Sequence, residues 1–355
     1  MKKHVVSKEN QIKSILFITV LMLITIYAIL KGYSIHEIIA VIKQVHPFYL
    51  LAGIGMMVLY FACQALNFKM ILSVLSETKS YRSCMEYAYI GYYFGSITPA
   101  ASGSQPAQMY YMNKDRVPLD FSSIMIFFMV FVSQITLILL AGLLTVFRLS
   151  FATLFEARLK YLLLSGTIVT VGLTLILFAV MFSRKTVPFF LSLFVKVGTK
   201  LHLIKKPEEM KIKLNQLVIS YRDKATIIKQ HPLLFVKVLI ITFMEWSLFC
   251  SVSYLVYLGF GYRQYGLLDL MTSQSLLNIA VTAVPLPGSV GVAEKAFMDI
   301  FGEYYPSDIL PSAMILSRII NFYLPLFISF IVYLFAHIRI IKQAKKNEQL
   351  QSRED

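Results

Sequence analysis

Long apolar stretches, separated by short polar segments, dominate the pattern of this chain. The clearest stretches are close to 20 residues or longer and lie at 14–30, 47–66, 121–147, 161–182, 233–258 and 309–336. An α-helix needs about 20 apolar residues to cross the hydrocarbon core of a bilayer. The pattern therefore predicts an all-α polytopic membrane protein with six full spans.

Two further apolar segments, 84–112 and 266–302, are each interrupted by proline and glycine. The interruptions read SITPAASGSQP from Ser96 and AVPLPGSVG from Ala283. Irregular backbone at membrane depth is tolerated only where it is buried in protein or lines a polar cavity. We therefore expect both segments to be re-entrant, each entering the membrane and returning on the same side as two half-helices.

The distribution of basic residues favours this topology. If the N-terminus is cytoplasmic and both broken segments return, 25 of the 34 Lys and Arg residues lie on the cytoplasmic side and six outside. If both segments crossed, the stretch 183–232 with its 11 basic residues would lie outside, against the positive-inside tendency. Both termini are therefore expected in the cytoplasm.

The same layout predicts an inverted repeat within a single integral membrane domain, 1–355. The apolar run from Pro47 matches that from Pro232, Pro99 matches Pro285, and the run from Phe121 matches that from Asp308, at offsets of 185 to 187 residues. The repeat halves are about 47–147 and 233–336. The first break enters from the cytoplasm and the second from outside, an arrangement typical of alternating-access carriers.

Composition excludes an ordinary soluble domain, because 57% of the residues are hydrophobic and only 15% are charged. The excess of 34 basic over 19 acidic residues is interpreted as loop charge that sets orientation, not as nucleic-acid binding. The three cysteines are dispersed and the six histidines lack ligand spacing. No disulfide, metal site or cofactor is expected.

The longest extramembrane segment, 186–230, is predicted to contain an amphipathic cytoplasmic helix. Pro207 followed by Glu208 and Glu209 is typical of a helix start. Apolar residues then recur at near-helical spacing with Lys and Arg between them. Such a helix lies on the anionic inner leaflet or packs on the transmembrane bundle, and the sequence leaves both alternatives open.

The breaks carry the candidate chemistry. In a re-entrant hairpin the second half-helix begins at the tip, so its unpaired N–H groups and positive dipole end point towards the membrane centre and suit a phosphate or carboxylate. The predicted lipid head-group residues at the breaks are Thr98, Pro99, Ser102, Gly103, Ser104 and Gln105 in the first, and Pro285, Pro287, Gly288, Gly291, Glu294 and Lys295 in the second.

Two charged residues, Glu245 and Arg318, are predicted at similar depth within full spans. Charged residues at such depth are candidates for function. They are expected either to form an ion pair, which is then structural, or to divide the work, with Arg318 holding a phosphate and Glu245 orienting it. Asn321 lies one turn from Arg318 on the same face, and Gln134 is its repeat mate at offset 187.

At these residues the chain resembles a known family. The stretches TPAASGSQPAQ (98–108) and PLPGSVGVAE (285–294) resemble the flippase-like transmembrane family of lysylphosphatidylglycerol synthase, the multiple peptide resistance factor. The resemblance extends from about Ser14 to His337. The family commonly has paired glycines at both breaks, whereas this chain has Gly103–Ser104 and Gly288–Ser289.

The resemblance implies a function. In two-part members a soluble domain transfers lysine from lysyl-tRNA to phosphatidylglycerol, and the membrane part flips the product outward. We therefore expect a flippase in a bacterial inner membrane for a lysyl-phosphatidylglycerol-type or other anionic phospholipid. One alternative is a phosphatidylglycerol lysyltransferase or its membrane subunit. For either function, a separate synthase or a second copy of this chain is the candidate protein partner. A small-solute or ion-coupled carrier is the other alternative.

The residues themselves oppose an enzyme. The sequence lacks HExxH, GxSxG, Walker A and GxGxxG motifs, and about 20 residues follow the last predicted span. No catalytic residue is therefore predicted.

Overall fold

The computed structural model describes residues 39–40, 43–75, 77–147, 157–182, 199, 226–228 and 230–354. Within these ranges the regular elements are helical and no strand occurs, which confirms the all-α class. The α-helices are α1 (Pro47–Val74), α2 (Tyr81–Ile97), α3 (Ser104–Lys114), α4 (Leu119–Phe147), α5 (Ala157–Phe182), α6 (Pro232–Gly259), α7 (Leu267–Thr282), α8 (Val292–Phe301), α9 (Leu310–Arg318) and α10 (Leu324–Glu354).

Among the described residues, five helical stretches are long and apolar enough to cross a membrane. They are Pro47–Val74, Leu119–Val146, Lys160–Ala179, Pro232–Gly259 and Leu310–Gln343. Each coincides with a predicted span, so a multi-pass membrane protein is confirmed. The predicted first span, 14–30, and nearly all of the predicted amphipathic segment 186–230 lie outside the described residues.

Helices α1 and α6 form an antiparallel pair. Each is 28 residues long and each begins with proline, at Pro47 and Pro232, 185 positions apart. The N–H of His46, before α1, donates to the carbonyl of Gly259, at the end of α6, over 3.2 Å. Further along, Asn67 Nδ2 donates to Thr242 Oγ1 over 3.0 Å. Two helices that match in length and first residue therefore run in opposite directions, as an inverted repeat requires.

The first broken segment, α2 and α3, folds into a hairpin. Gln108 Nε2 on α3 donates to the carbonyl of Tyr87 on α2 over 3.1 Å. The close approach requires a glycine at Gly91, since a Cβ there would collide with the Gln108 side chain. Lys79 Nζ, before α2, donates to the carbonyl of Asp115, after α3, over 2.8 Å. The two ends of this segment therefore lie together.

The second broken segment, α7 and α8, also returns to its start. The hydroxyl oxygens of Ser273 on α7 and Tyr304, just after α8, lie 2.8 Å apart. The ring of Tyr304 also packs edge-on against Tyr265, just before α7, with 4.8 Å between centroids. Both interrupted segments are thus helical hairpins whose bends lie near the predicted prolines.

The two breaks share one backbone turn. A short 3₁₀ turn begins at Pro99 in the first break and at Pro287 in the second. The residue after each proline is left-handed, with φ/ψ of 50°/31° at Ala100 and 58°/12° at Gly288. The offset between the turns is 188, and α3 and α8 start at the same offset. The match of Pro99 with Pro285 was therefore wrong by two residues, because the backbone turn aligns Pro99 with Pro287.

The core and the outer surface of the bundle are both apolar. Large side chains such as Phe61, Phe128 and Phe301 are fully buried between helices. Others on the long helices, including Val146 and Phe335, are exposed over about two thirds of their surface or more. Extensive exposed apolar surface is the pattern expected where helices face lipid.

Candidate functional site

The bends of the two hairpins pack against each other. The turn Pro99–Ala101 contacts the turn Pro287–Ser289, and α2 also contacts the second turn. Most residues at these turns are partly or fully exposed, among them Pro99, Ser102 and Pro285. The sequence thus brings its two irregular segments, about 190 residues apart, to one accessible place in the helical bundle.

Arg318, the last residue of α9, joins this place to the rest of the bundle. Its Nε lies 2.8 Å from Glu294 Oε1 in the first turn of α8. Its Nη2 donates to the carbonyl of Gly288 over 3.0 Å. The side chains of Arg318 and Glu294 are only 16% and 13% exposed. The guanidinium is therefore held by one carboxylate and one backbone carbonyl of the second break.

Aromatic rings cover the same guanidinium. A π-helical turn, Ile319–Tyr323, directly follows Arg318. The guanidinium carbon lies 4.6 Å from the ring centroid of Phe322 and 5.8 Å from that of Tyr323, which are cation–π distances. Single π-turns inside helices are frequent at functional sites. A Cβ at Gly288 would collide with the ring of Phe322, so the glycine permits this packing.

Glu294 has a second role, at the start of α8. Its Oε2 accepts a hydrogen bond from the backbone N–H of Gly291, the residue before the helix. The helix terminus predicted to bind a ligand anion therefore already holds a carboxylate of the chain. The first turn of α3, by contrast, contains no acidic residue. Of the two half-helix termini, α3 is the one without its own anion.

The first break is closed by Thr98. The N–H of Gly103 donates to Thr98 Oγ1 over 2.9 Å, and the same hydroxyl donates to the carbonyl of Phe94 over 2.6 Å. Ser104 and Gln105, at the start of α3, are partly buried. The threonine thus fixes the bend that presents the α3 terminus.

Asn321 lies beside this site and contacts it through its backbone carbonyl. Its carbonyl accepts a hydrogen bond from the Tyr92 hydroxyl on α2 over 2.8 Å. Its side-chain oxygen is buried and has no hydrogen-bond partner among the described residues. Tyr92 therefore connects the first hairpin directly to the π-turn that follows Arg318.

Three predicted residues contribute no side-chain hydrogen bond or ion pair to the meeting point of the breaks in the described part of the chain. Glu245 does not form the ion pair considered for it, because Arg318 is paired with Glu294; its Oε1 instead accepts a hydrogen bond from Gln64 over 3.4 Å. Lys295 is exposed. Gln134 makes no hydrogen bond to either break in the described part of the chain.

Sequence reasoning missed Phe322, Tyr323 and Tyr92. Phe322 stands four residues after Arg318, a spacing at which helical side chains meet, so this signal was present. Tyr92 had no sequence signal, since its contact depends on the packing of α2 against the last helices. Among the described residues, no group of three or more His, Cys, Asp or Glu could hold a metal ion.

Comparison with known proteins places this chain in a family. Residues 11–329 match the family described as the lysylphosphatidylglycerol synthase TM region. The chain belongs to this family. A relative in the lysylphosphatidylglycerol synthase TM-region family is a UPF0104 membrane protein of Archaeoglobus fulgidus, 24% identical over 317 residues that cover 87% of this chain and 93% of the relative. The resemblance inferred from the two break motifs is thereby confirmed.

Membership of the lysylphosphatidylglycerol synthase TM-region family establishes a membrane protein. The family match includes both breaks, Glu294 and Arg318. The residue roles at the breaks remain predictions.

Proposed function

We propose that this chain is a membrane carrier that moves a phospholipid of phosphatidylglycerol type, anionic or aminoacylated, between the two leaflets. The observation that carries the proposal is the meeting of two broken hairpins around the Arg318–Glu294 pair. Broken helices that meet at a central site are the usual binding architecture of carriers built from inverted repeats.

The chemistry of the pair suits a head group with both charges. Arg318 offers guanidinium N–H groups to a lipid phosphate, which competes with Glu294 for them. The released Glu294 carboxylate then meets an ammonium group, such as that of a lysyl ester. The α3 terminus, without its own acid, adds backbone N–H groups for the phosphate. Thr98, Pro99, Ser102, Gly103, Ser104 and Gln105 line this side.

The second break supplies the opposite wall, from Pro285, Pro287, Gly288, Gly291 and Lys295. The acyl chains remain in lipid between the helices while the head group passes the bends. This mechanism needs no soluble domain and no cofactor.

The topology proposed with this function has six full spans and two re-entrant hairpins in one domain, with repeat halves about 47–147 and 233–336. Both termini lie in the cytoplasm, and the membrane is the bacterial inner membrane. The antiparallel α1 and α6 and the shared turn of the two breaks support the repeat.

The test is reconstitution in liposomes that contain fluorescent phosphatidylglycerol and, separately, a lysyl-phosphatidylglycerol. The protein should accelerate transfer between leaflets, and Arg318→Ala should reduce the rate about tenfold or more, because a charge-assisted contact to phosphate is lost. Glu294→Gln should also slow the transfer, and Asp299→Asn, at an exposed acid five residues after Glu294 on α8, is its matched control. Transfer no faster than in empty vesicles, for every head group, would refute the proposal.

The family description favours one second candidate, a phosphatidylglycerol lysyltransferase or its membrane subunit. It predicts labelled lysine in phosphatidylglycerol when the chain is supplied with lysyl-tRNA, alone or with a separate synthase. Thin-layer chromatography of the lipids decides between the two. A soluble-solute carrier would instead be stabilised by a soluble anion and not by lipid.

A further inference from the structure

A buried carboxylate lies in the seam between α1 and α6, away from the meeting point of the breaks. Glu245 is at the middle of the 28-residue α6 and is only 3% exposed. Its Oε1 accepts one long hydrogen bond, from Gln64 Nε2 on α1 at 3.4 Å. Its Oε2 has no partner among the residues that the structure describes. The carboxyl group is therefore removed from water with little compensation.

Basic residues do not offset this burial. Arg318 is paired with Glu294, and Lys237 is exposed about two turns before Glu245 on α6. The predicted first span, 14–30, contains no Lys, Arg or His. A carboxylate that is buried without an opposite charge is costly, and the group takes up a proton instead.

The other titratable groups near Glu245 do not favour its charged form. On α1 these are Tyr60 and Cys63, both neutral in their ordinary state. Within the described bounds of α4 and α7, the charged residues are Asp120 and Asp269, each in the first turn of its helix. Both are acidic, so neither stabilises a second negative charge.

The surroundings fit a proton better than a metal cation. Hard cations take six or more oxygen ligands at short distance. Here Gln64 turns an N–H towards the carboxylate, and Thr242 Oγ1 is used by Asn67. Asn67 Oδ1, one turn after Gln64 on α1, is a buried acceptor without a partner among the described residues. One carboxylate oxygen and one amide oxygen do not make a cation cage, whereas a single free carboxylate oxygen suffices for a proton.

Glu245 lies at the contact between the two repeat halves, because it is on α6 and its partner Gln64 is on α1. At the offset of 185 that relates α1 to α6, its counterpart is Tyr60, and Tyr60 lies within electrostatic reach of both Glu245 and Tyr92. The Tyr92 hydroxyl donates to the Asn321 carbonyl in the π-turn after Arg318. A change of charge at Glu245 therefore occurs between the two repeat halves. Tyr60 and Tyr92 connect it to the π-turn that follows Arg318.

We infer that Glu245 is a proton-binding residue that couples transport to a proton gradient. Glu245 takes up a proton while the carrier gives access from one side of the membrane, stays neutral during the change of access, and releases the proton to the other side. One proton moves for each lipid. The coupling rests on the proposed carrier function, whereas the proton site itself does not.

The experiment measures leaflet distribution and protonation separately. In proteoliposomes, a pH difference of one unit should drive the transported lipid to about a tenfold difference between leaflets, because one pH unit is worth a factor of ten for one coupled proton. Glu245→Gln, fixed in the neutral state, should leave the lipid evenly distributed at any pH difference. Glu303→Gln, which changes an exposed acid outside the spans, is the control and should behave as the wild type.

Infrared difference spectroscopy on the purified protein supplies a readout that is independent of transport. The wild type should show a protonated carboxylic C=O band at neutral pH that Glu245→Gln lacks. Should Glu245→Gln fail to fold, Glu245→Asp keeps a titratable carboxyl, and its band should remain at a shifted frequency.

The outcomes separate the two claims. A band without any lipid transfer supports the proton site and removes the carrier function. Transfer without a band, with a distribution that ignores the pH difference or follows a sodium gradient, overturns the inference and leaves the carrier function standing. A pH-driven distribution that persists in Glu245→Gln also overturns it.

Discussion

Arg318 Nε and Glu294 Oε1 lie 2.8 Å apart and join the end of α9 to the first turn of α8, across 24 positions of sequence. Glu294 also accepts the N–H of Gly291, and Arg318 also donates to the carbonyl of Gly288. The pair therefore holds the second break in shape and supplies its charge. The local structure of the second break therefore depends on both side chains.

Removing both members of this pair should cost less than the sum of the two single losses. Arg318→Ala or Glu294→Gln leaves a largely buried charge without its partner, with an expected loss of about 3 kcal/mol of unfolding free energy. The double variant removes both charges, so its loss should be smaller than the sum of the two. Thermal unfolding of the detergent-solubilised variants, arranged as a double-mutant cycle, measures the difference.

Additive losses in that cycle would show that the two side chains act independently, against the geometry. Asp299→Asn serves as the control on the same helix, because Asp299 is exposed. Its substitution should change stability by less than about 0.5 kcal/mol, as surface changes usually do.

Gly288→Ala should damage the site through its backbone and its neighbour. Gly288 has φ of +58°, where an L side chain costs about 1–2 kcal/mol, and the added methyl would collide with Phe322. The ring must then leave the guanidinium of Arg318. We expect a lower melting temperature and a slower lipid transfer.

The matched control is Gly142→Ala on α4, where a Cβ meets nothing within 4 Å. Alanine is favoured over glycine inside a helix by about 0.5–1 kcal/mol, so this variant should be as stable as the wild type or more so. Equal effects at the two glycines would contradict the role assigned to Gly288.

Arg339 ties the first hairpin to α10. Its Nη2 lies 2.7 Å from Glu86 Oε2 on α2 and 3.4 Å from Asp115 Oδ2 after α3. Arg82 reaches the same Glu86 only at 3.6 Å, and its side chain is 90% exposed. Arg339→Ala should therefore lower the unfolding free energy by about 1 kcal/mol, whereas Arg82→Ala should have almost no effect.

Chemical unfolding of the two arginine variants in one detergent gives the comparison. Each variant removes one positive charge beside Glu86, so an effect of net charge alone would be the same in both. A larger loss for Arg82→Ala would contradict the assignment.

Cysteine labelling tests the topology on residues that the structure describes. In a background without Cys63, Cys84 and Cys250, a cysteine at Gln264 should react with an impermeant thiol reagent in intact cells. A cysteine at Arg116 should not react, because we place it on the cytoplasmic side. Both positions are exposed, so access is not limited by burial.

Reaction at Arg116 and protection at Gln264 would mean that the whole molecule is inserted the other way. Reaction at both would place the ends of both hairpins outside, and the inverted arrangement of the breaks would then be wrong. The same strategy at Lys205, which lies outside the described residues, and at Arg158, in the first turn of α5, should give protection and reaction respectively.

Much of the fold was predictable, because each long span must satisfy its backbone internally and present about 20 apolar residues to lipid. The predicted spans at 47–66, 121–147, 161–182, 233–258 and 309–336 all reappear as helices. The breaks were predictable for the same reason, since proline and glycine interrupt an apolar run only where a bend is needed. The exact match of residues between the two breaks was harder to predict. By sequence, either Pro285 or Pro287 can correspond to Pro99, and only the backbone angles of the turns distinguish them.

The sequence by itself determined the membrane class, the helical spans, the two breaks and the charged residues that require an explanation. Hydrophobic length and proline positions are local properties, so one chain suffices to interpret them. Only the tertiary structure decided which charge has which partner: Arg318 takes Glu294 and stacks on Phe322, while Glu245 is left in the α1–α6 seam with Gln64. Pairing depends on which helix faces meet, and at equal depth several partners compete. Packing of the two hairpin bends resolves that competition.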